Sequence, residues 1–408
     1  MTKNKQYDVV VWGATGFTGR LVAEYLKNTY GIGKSVKWAI AGRNMTKLKS
    51  IHDALDLEGV DIIVADSSQR GSLDAMTSVA RVVCTTVGPY ALYGSELVAS
   101  CVANGSHYCD LAGEVQWIRR MIDAHHEEAS AKDVKIVHCC GFDSIPSDMG
   151  VYYLQKMAKA KTGSHCDEIR FRLKAAKGGF SGGTYASLSN VMKEAAKDKS
   201  IWKTLTNPYG LNPDPSFDGP DGRDLQTVLF EKETNSWITP FVMAAINTKI
   251  VRRSHGLAEF PYGKEFQYNE AIMTGPDFKG RMKATGNALS LGVMMAAKPG
   301  SFLKGVMDKF LPKPGEGPNK KAREEGFFSA RLFGYAKGEE IIVGSVKGDM
   351  DPGYGSTSKM IGECAVCLAQ DGDTGIAKGG VLTPSTAMGD AILDRLQENA
   401  GLTFTVLE

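Results

Sequence analysis

Three glycines within seven residues, set between an apolar strand and an apolar-spaced helix, constrain the fold of this 408-residue chain more than any other feature. Tyr7-Asp-Val-Val-Val-Trp12 reads as a strand and runs into Gly13-Ala14-Thr15-Gly16-Phe17-Thr18-Gly19; Arg20-Leu-Val-Ala-Glu-Tyr-Leu26 then carries helical spacing. Glycines at such a junction let the backbone turn sharply and approach a pyrophosphate. The helix N-terminus adds unpaired N–H groups and the positive end of its dipole. Residues 13–19 are therefore the expected phosphate site of a dinucleotide cofactor.

The second strand bears on which dinucleotide. Val36-Lys-Trp-Ala-Ile-Ala41 ends at Gly42-Arg43-Asn44, and Asn44 is placed to cap the next helix. A site that prefers NAD puts a carboxylate near here for the ribose hydroxyls. This chain has Arg43 instead, and Asp53 falls inside the following helix. A guanidinium pairs with a 2′-phosphate and stacks on adenine, so NADP is expected over NAD. The alternative is a solvated arginine at a strand end.

Length favours two domains, and 43% hydrophobic with 23% charged residues is the composition of a soluble globular chain. A net charge of +2 gives no support to a nucleic-acid partner. Residues 1–6 are short and polar before the first strand, unlike a secretory leader. Eight scattered cysteines fit reduced thiols and a cytoplasmic location. Cys364 and Cys367 share a helix without a second ligand pair nearby, so a buried structural role is expected and no metal site.

From residue 7 to 140, strands alternate with helices. Further strands are expected at 61–65, 81–87, 106–110 and 134–139, with helices clearest at 95–103 and 115–131. Continuous apolar strands alternating with helices predict an α/β fold, a Rossmann-type doubly wound parallel sheet. Ligands then bind beyond the carboxyl ends of the strands. After Gly150 the alternation stops. Residues 167–176, 265–273 and 327–346 read as strands of an antiparallel sheet with a hairpin at Ala336-Lys337-Gly338, residues 207–223 as a long loop, and residues 311–318 as a flexible connection. Helical spacing returns at 356–370 and 386–398. The expected organisation is a nucleotide-binding domain over 1–150, an inserted α+β substrate or dimerisation domain over 151–348, and a C-terminal helical segment over 349–408 packing back on the first.

The motifs extend beyond the glycines: Ala41-Gly-Arg43, Gly88-Pro-Tyr90 with Tyr93-Gly94, His107-Tyr-Cys-Asp110-Leu-Ala-Gly113-Glu114, Gly141-Phe-Asp143-Ser-Ile-Pro146-Ser-Asp148 and Gly380-Val-Leu-Thr-Pro384. Together they resemble the saccharopine dehydrogenase-like oxidoreductases over nearly the whole chain. The nearest branch in look contains the trans-acting enoyl reductases and the animal saccharopine dehydrogenase-like oxidoreductase. The resemblance implies NAD(P)-linked chemistry and, for the enoyl-reductase branch, a lipid-type acyl substrate.

Hydride transfer belongs to the cofactor, so the chain must position the acceptor and supply a proton. The loop holding Thr86, Gly88 and Pro89 follows the fourth strand, where the nicotinamide ribose is expected, and Asp66 and Ser67 close the third strand as further cofactor contacts. Tyr90 is a candidate proton donor or a packing ring. Asp143 and Ser144 open into the cleft or cap the helix that follows. For Asp110 and Glu114, loop hydrogen bonds are the expected role. Ser181-Gly182-Gly183-Thr184 precedes a helix and is a candidate anion or amide site; His107 and His138 read as core histidines.

In the second domain, Trp237–Ala245 and Leu289–Ala297 are methionine-bearing apolar runs too short to span a bilayer. Phe302, Leu303, Val306, Met307, Phe310 and Leu311 share one helical face, with Lys304 and Lys309 off it; core, dimer interface and peripheral membrane contact are the alternatives. The leading expectation is an NADP-dependent reductase of an activated C=C or C=N bond in a small, hydrophobic substrate, acting as a homodimer. A nucleotide-binding, lipid-associated protein with little catalysis is the second reading. An amino-acid dehydrogenase of saccharopine type, with Arg252 and Arg253 as the carboxylate clamp, is the third.

Overall fold

The computed structural model describes residues 5–178, 182–214, 216–296, 315–372 and 374–407. The Phe302–Leu311 face, Ser181 and residues 311–314 of the 311–318 connection lie outside them.

The first sheet has seven parallel strands: β1 (Tyr7–Trp12), β2 (Trp38–Gly42), β3 (Asp61–Val64), β4 (Ala80–Thr85), β5 (His107–Cys109), β6 (Lys135–Val137) and, from far along the chain, β13 (Gly380–Leu382). Their spatial order is β13-β6-β5-β4-β1-β2-β3. Val9, Val10, Val11, Ile40 and Val83 are fully buried, as expected of strands covered on both faces. The order reverses direction beside β1, and this switch point places Gly13, Arg43 and Thr86 together at the carboxyl edge.

The second sheet comprises β7 (Glu168–Lys177), β8 (Leu229–Glu231), β9 (Ser236–Thr239), β10 (Gln267–Gly275), β11 (Phe327–Ala336), β12 (Glu339–Gly348) and β14 (Leu402–Leu407), in the order β14-β12-β11-β7-β10-β9-β8. It is mixed rather than antiparallel throughout, because β10 runs parallel to β7 (Tyr268 opposite Ile169) while the other pairs are antiparallel. A parallel pair needs a long crossover, and the chain between these strands supplies it with helices and two more strands.

The C-terminal stretch serves both sheets. The helix Thr357–Gln370 packs on β1, β4, β5 and the first helix, Phe17–Tyr30, whereas β13 extends the first sheet and β14 the second. Buried Glu363 fixes this helix to the first: it accepts hydrogen bonds from the Tyr25 and Tyr30 hydroxyls and lies 3.6 Å from Arg395. Lys135 in β6 holds the same region by donating to the Gly372 and Ala387 carbonyls at 2.5 and 2.7 Å.

Candidate active site

The glycine loop is shaped by close contacts that a Cβ would destroy. Gly13 has φ of +93°, and a methyl group on it would lie 2.5 Å from Val87 Cγ2. A methyl on Gly19 would lie 2.2 Å from the Gly13 carbonyl oxygen. The loop is thus packed tightly beneath the N-terminus of the helix Phe17–Tyr30, which no side chain caps. Its first N–H groups lack an intrahelical partner and face the position of a pyrophosphate. Gly19→Ala is expected to displace the loop at a cost of about 1–3 kcal/mol, with NADPH binding lost; fluorescence titration and urea unfolding measure both.

Gly13, Thr15, Gly16, Phe17, Thr18, Arg43, Ser67, Thr86 and Gly88 line one cavity of about 910 Å³. Thr86 Oγ1 is buried in its wall with no hydrogen-bond partner, an orphaned group that a ribose or carboxamide would satisfy. Arg43 is exposed at the rim and makes no hydrogen bond or ion pair among the described residues. Together, the glycine cradle, the uncapped helix, the orphaned hydroxyl and the unpaired guanidinium fit a dinucleotide with a 2′-phosphate. Ala14, Gly19 and Pro89 are not among the residues that line the cavity. Asp66 also lies outside it: its Oδ1 accepts from the Ser68 amide and hydroxyl at 2.9 and 2.8 Å. Those bonds, with the Arg43 charge, hold its carboxyl below the usual range.

Tyr90 is 4% exposed, and its hydroxyl donates to the Thr85 carbonyl and accepts from the Leu111 amide. Its ring stacks on Trp117, so packing is the role its contacts describe. Burial raises the phenol well above its ordinary pKa. Glu114 holds the same loop by accepting from the Tyr90 and Ala91 amides at 2.7 and 3.0 Å and from Ser187 Oγ at 2.8 Å. Glu114→Ala would strand these buried amides at about 1–3 kcal/mol each. A lowered urea midpoint and a raised KM for NADPH are expected.

Asp143 and Ser144 diverge although they are adjacent. Ser144 is fully buried and outside the cavity; its hydroxyl donates to Asn247 Oδ1 at 3.2 Å and to the Asp143 carbonyl. Asn247 in turn donates to Glu270, which also accepts from Tyr268. Neither Asp143 nor Ser144 caps the helix Ile145–Thr162 through its side chain. The Asp143 carboxyl opens into the cavity and makes no hydrogen bond or ion pair among the described residues. Burial, reinforced by the charge of Asp110, pushes its pKa up to about 7. Asp110 itself is bound to loop amides, the Tyr108 hydroxyl and His138 Nδ1.

The rest of the cavity is walled by Leu188, Val191, Met192, Leu205, Phe241 and Met243, among others. The apolar run from Trp237 therefore builds the wall. The run from Leu289 continues the helix Phe278–Ala296, whose Phe278, Met282, Leu289 and Val293 are exposed, and brings Met295 to the cavity lining. Arg252 and Arg253 lie in the helix Ala244–Leu257. Arg252 pairs with Asp221 at 2.6 Å, and Arg253 donates to the Leu211 and Val381 carbonyls. Arg252 lines the cavity but its guanidinium is held by Asp221, and Arg253 is buried and outside the lining, so the two do not form the paired carboxylate clamp.

Two parts of the site were not foreseen from the sequence. A single π-turn, Pro352–Ser356, capped by Asp351, brings Tyr354 edge-on to Phe17 at 4.8 Å. The Tyr354 hydroxyl accepts from the Gly182 amide and donates to the Glu316 carbonyl, tying the helix Gly182–Lys197 to the glycine loop. Asp351-Pro-Gly carries a turn signal, but nothing local says what the turn will meet. The second is Lys249, buried in the cavity wall.

Residues 9–137 match the model of the saccharopine dehydrogenase NADP-binding domain. The trans-acting enoyl reductase of Mycobacterium ulcerans is 35% identical over 410 residues, 97% of this chain and 96% of that one. A Mycobacterium tuberculosis chain that carries the same enzyme name provisionally is 37% identical over 406 residues, 96% of each. The fold is similar to that of saccharopine dehydrogenase (L-Glu forming) from Saccharomyces cerevisiae, with a TM-score of 0.50, 12% identity, and 98% and 99% of the two chains covered. Together with the glycine cradle, these likenesses place the chain in the trans-acting enoyl reductase family, among the saccharopine dehydrogenase-like, NADP-dependent oxidoreductases.

Proposed function

We propose that this oxidoreductase reduces the activated C=C bond of a hydrophobic acyl substrate, with Asp143 as the proton donor. The observation that carries this reading is the unpaired Asp143 carboxyl, which opens into the same apolar-walled cavity as the glycine loop. Residues 13, 15–18, 43, 67, 86 and 88 would hold NADPH, which would supply the hydride. The chain supplies the rest. Its apolar walls exclude water and align the acyl chain. The Asp143 carboxyl, whose raised pKa keeps a substantial protonated fraction near pH 7, gives its proton to the carbon left electron-rich by hydride addition. Glu114 and Tyr90 tie the loop at residues 89–91 to residues 111–114, and the Ser144–Asn247 bond ties the start of the following helix to the helix Ala244–Leu257; both borders of the cavity are thereby fixed and position the acceptor. Reduction of a C=N bond would use the same proton donor at nitrogen. The direct test is loss of NADPH absorbance with crotonyl and dodecenoyl thioesters; turnover of the long chain in preference to the short one is expected. Absence of turnover with tight NADPH binding would overturn the assignment.

The exposed apolar residues of the helix Phe278–Ala296 support a contact surface, which we assign to a homodimer or to the face of a membrane. No helix among the described residues is long and apolar enough to cross a membrane. Eight buried free thiols support a reducing, cytoplasmic location. Light scattering with and without anionic liposomes separates these surfaces.

A further inference from the structure

Lys249 is 3% exposed and lines the cavity wall on the helix Ala244–Leu257. Its ammonium makes one hydrogen bond among the described residues, to the Ala245 carbonyl one turn back in its own helix at 3.2 Å. An ammonium has three donors, and a buried one is stable only when acceptors surround it. The neighbouring charges do not meet that need. Arg252, one turn further on, is held by Asp221 and by the Pro208 and Tyr268 carbonyls. Asp224 accepts from Thr248 Oγ1 at 3.0 Å and makes no ion pair with Lys249. Arg223, exposed at the same end of the cavity, adds a second cation with no hydrogen bond or ion pair among the described residues. Arg223, Arg252 and Lys249 stand here with Asp221 and Asp224, and Asp224 in turn acts on Glu270. The charge acting on Asp143 is Asp110, whereas those acting on Lys249 are Asp224 and Arg252.

We propose that Lys249 is the anchor for an oxyanion on the substrate, which makes the substrate class an anionic amphiphile: an acyl chain against Leu188, Val191, Phe241 and Met243, with a carboxylate or phosphate at Lys249 and Arg223. This names the substrate class within the reductase reading and rests on the same cavity.

The test uses ligands with no reducible bond, so it is read independently of enoyl turnover. Dodecanoate, dodecyl phosphate, dodecanol and acetate are titrated calorimetrically into the full chain saturated with NADP⁺. The wild type is expected to bind one or both long oxyanions about tenfold or more tighter than dodecanol, the range for a charged hydrogen bond. Whichever of the two is preferred identifies the oxyanion. Acetate is expected to bind far more weakly, because it lacks the tail. Lys249→Met is expected to remove the preference while leaving dodecanol affinity unchanged, and Lys249→Arg to keep it. Lys249→Gln, checked for wild-type NADPH affinity, serves where Lys249→Met fails to fold. Equal binding of dodecanol and the oxyanions, a preference that survives Lys249→Met or Lys249→Gln, or acetate binding as tight as dodecanoate would each overturn the proposal.

Discussion

Asp143→Asn is expected to lower kcat/KM for an enoyl thioester by about 10²- to 10⁴-fold, the usual contribution of a positioned acid, while NADPH affinity is retained. Asn keeps the volume of the side chain and removes the proton. The wild-type pH profile should carry the same signature. A donor must be protonated, and with its pKa at about 7 the rate is highest below that value and falls as pH rises through it. In Asp143→Asn this limb should vanish. Stability gives a second, independent readout. The folded-state pKa lies above the ordinary value of 3.8, so between the two the folded chain binds more protons than the unfolded chain. The Asp143 contribution to stability therefore declines as pH rises from about 4 to 7. Urea midpoints of Asp143→Asn relative to wild type should be higher at pH 8 than at pH 4. A rate limb unmoved by the substitution would remove Asp143 from the chemistry.

Arg43→Ala is expected to weaken NADPH binding by about 2 kcal/mol, the range for a hydrogen bond to a charged group, or roughly 30-fold in Kd. NADH lacks the 2′-phosphate, so its affinity should change little, and the ratio of the two affinities is the measurement. Arg43 is exposed, and its charge acts on the Asp66 carboxylate. Added salt should therefore diminish the wild-type preference. Equal loss for both nucleotides would place Arg43 on the adenine ring instead of the phosphate.

The parts of the molecule legible in the sequence are those fixed by short-range physics. The predicted helix over 115–131 is the observed Val115–Ala131, and the first strand is Tyr7–Trp12, because apolar periodicity reports burial locally. The glycine loop was readable for a steric reason: only a residue without Cβ fits at positions 13 and 19. The roles of neighbouring residues were less readable. Tyr90, Asp143 and Ser144 look alike as polar groups at strand ends, yet Tyr90 lines the cavity with its hydroxyl bonded and its ring on Trp117, Asp143 lines it with its carboxyl unpaired, and Ser144 lies outside it bonded to Asn247. Side-chain direction at a helix start depends on what the distant chain packs against it, and local spacing carries no record of that.

The sequence by itself determined the parallel nucleotide-binding sheet, the phosphate loop and the cation at the end of β2, since each depends on residues close together in the chain. Tertiary structure alone decided the mixed second sheet, the β13 and β14 strands that bind the C-terminal stretch to both sheets, and the substrate cavity. It also decided that Arg252 and Arg253 are internal staples while Lys249, between Thr248 and Ile250, keeps unmade bonds. These outcomes turn on burial and on acceptors contributed by residues up to about 130 positions away, such as Val381 for Arg253, and a buried charge takes its role from the partners that the fold brings to it.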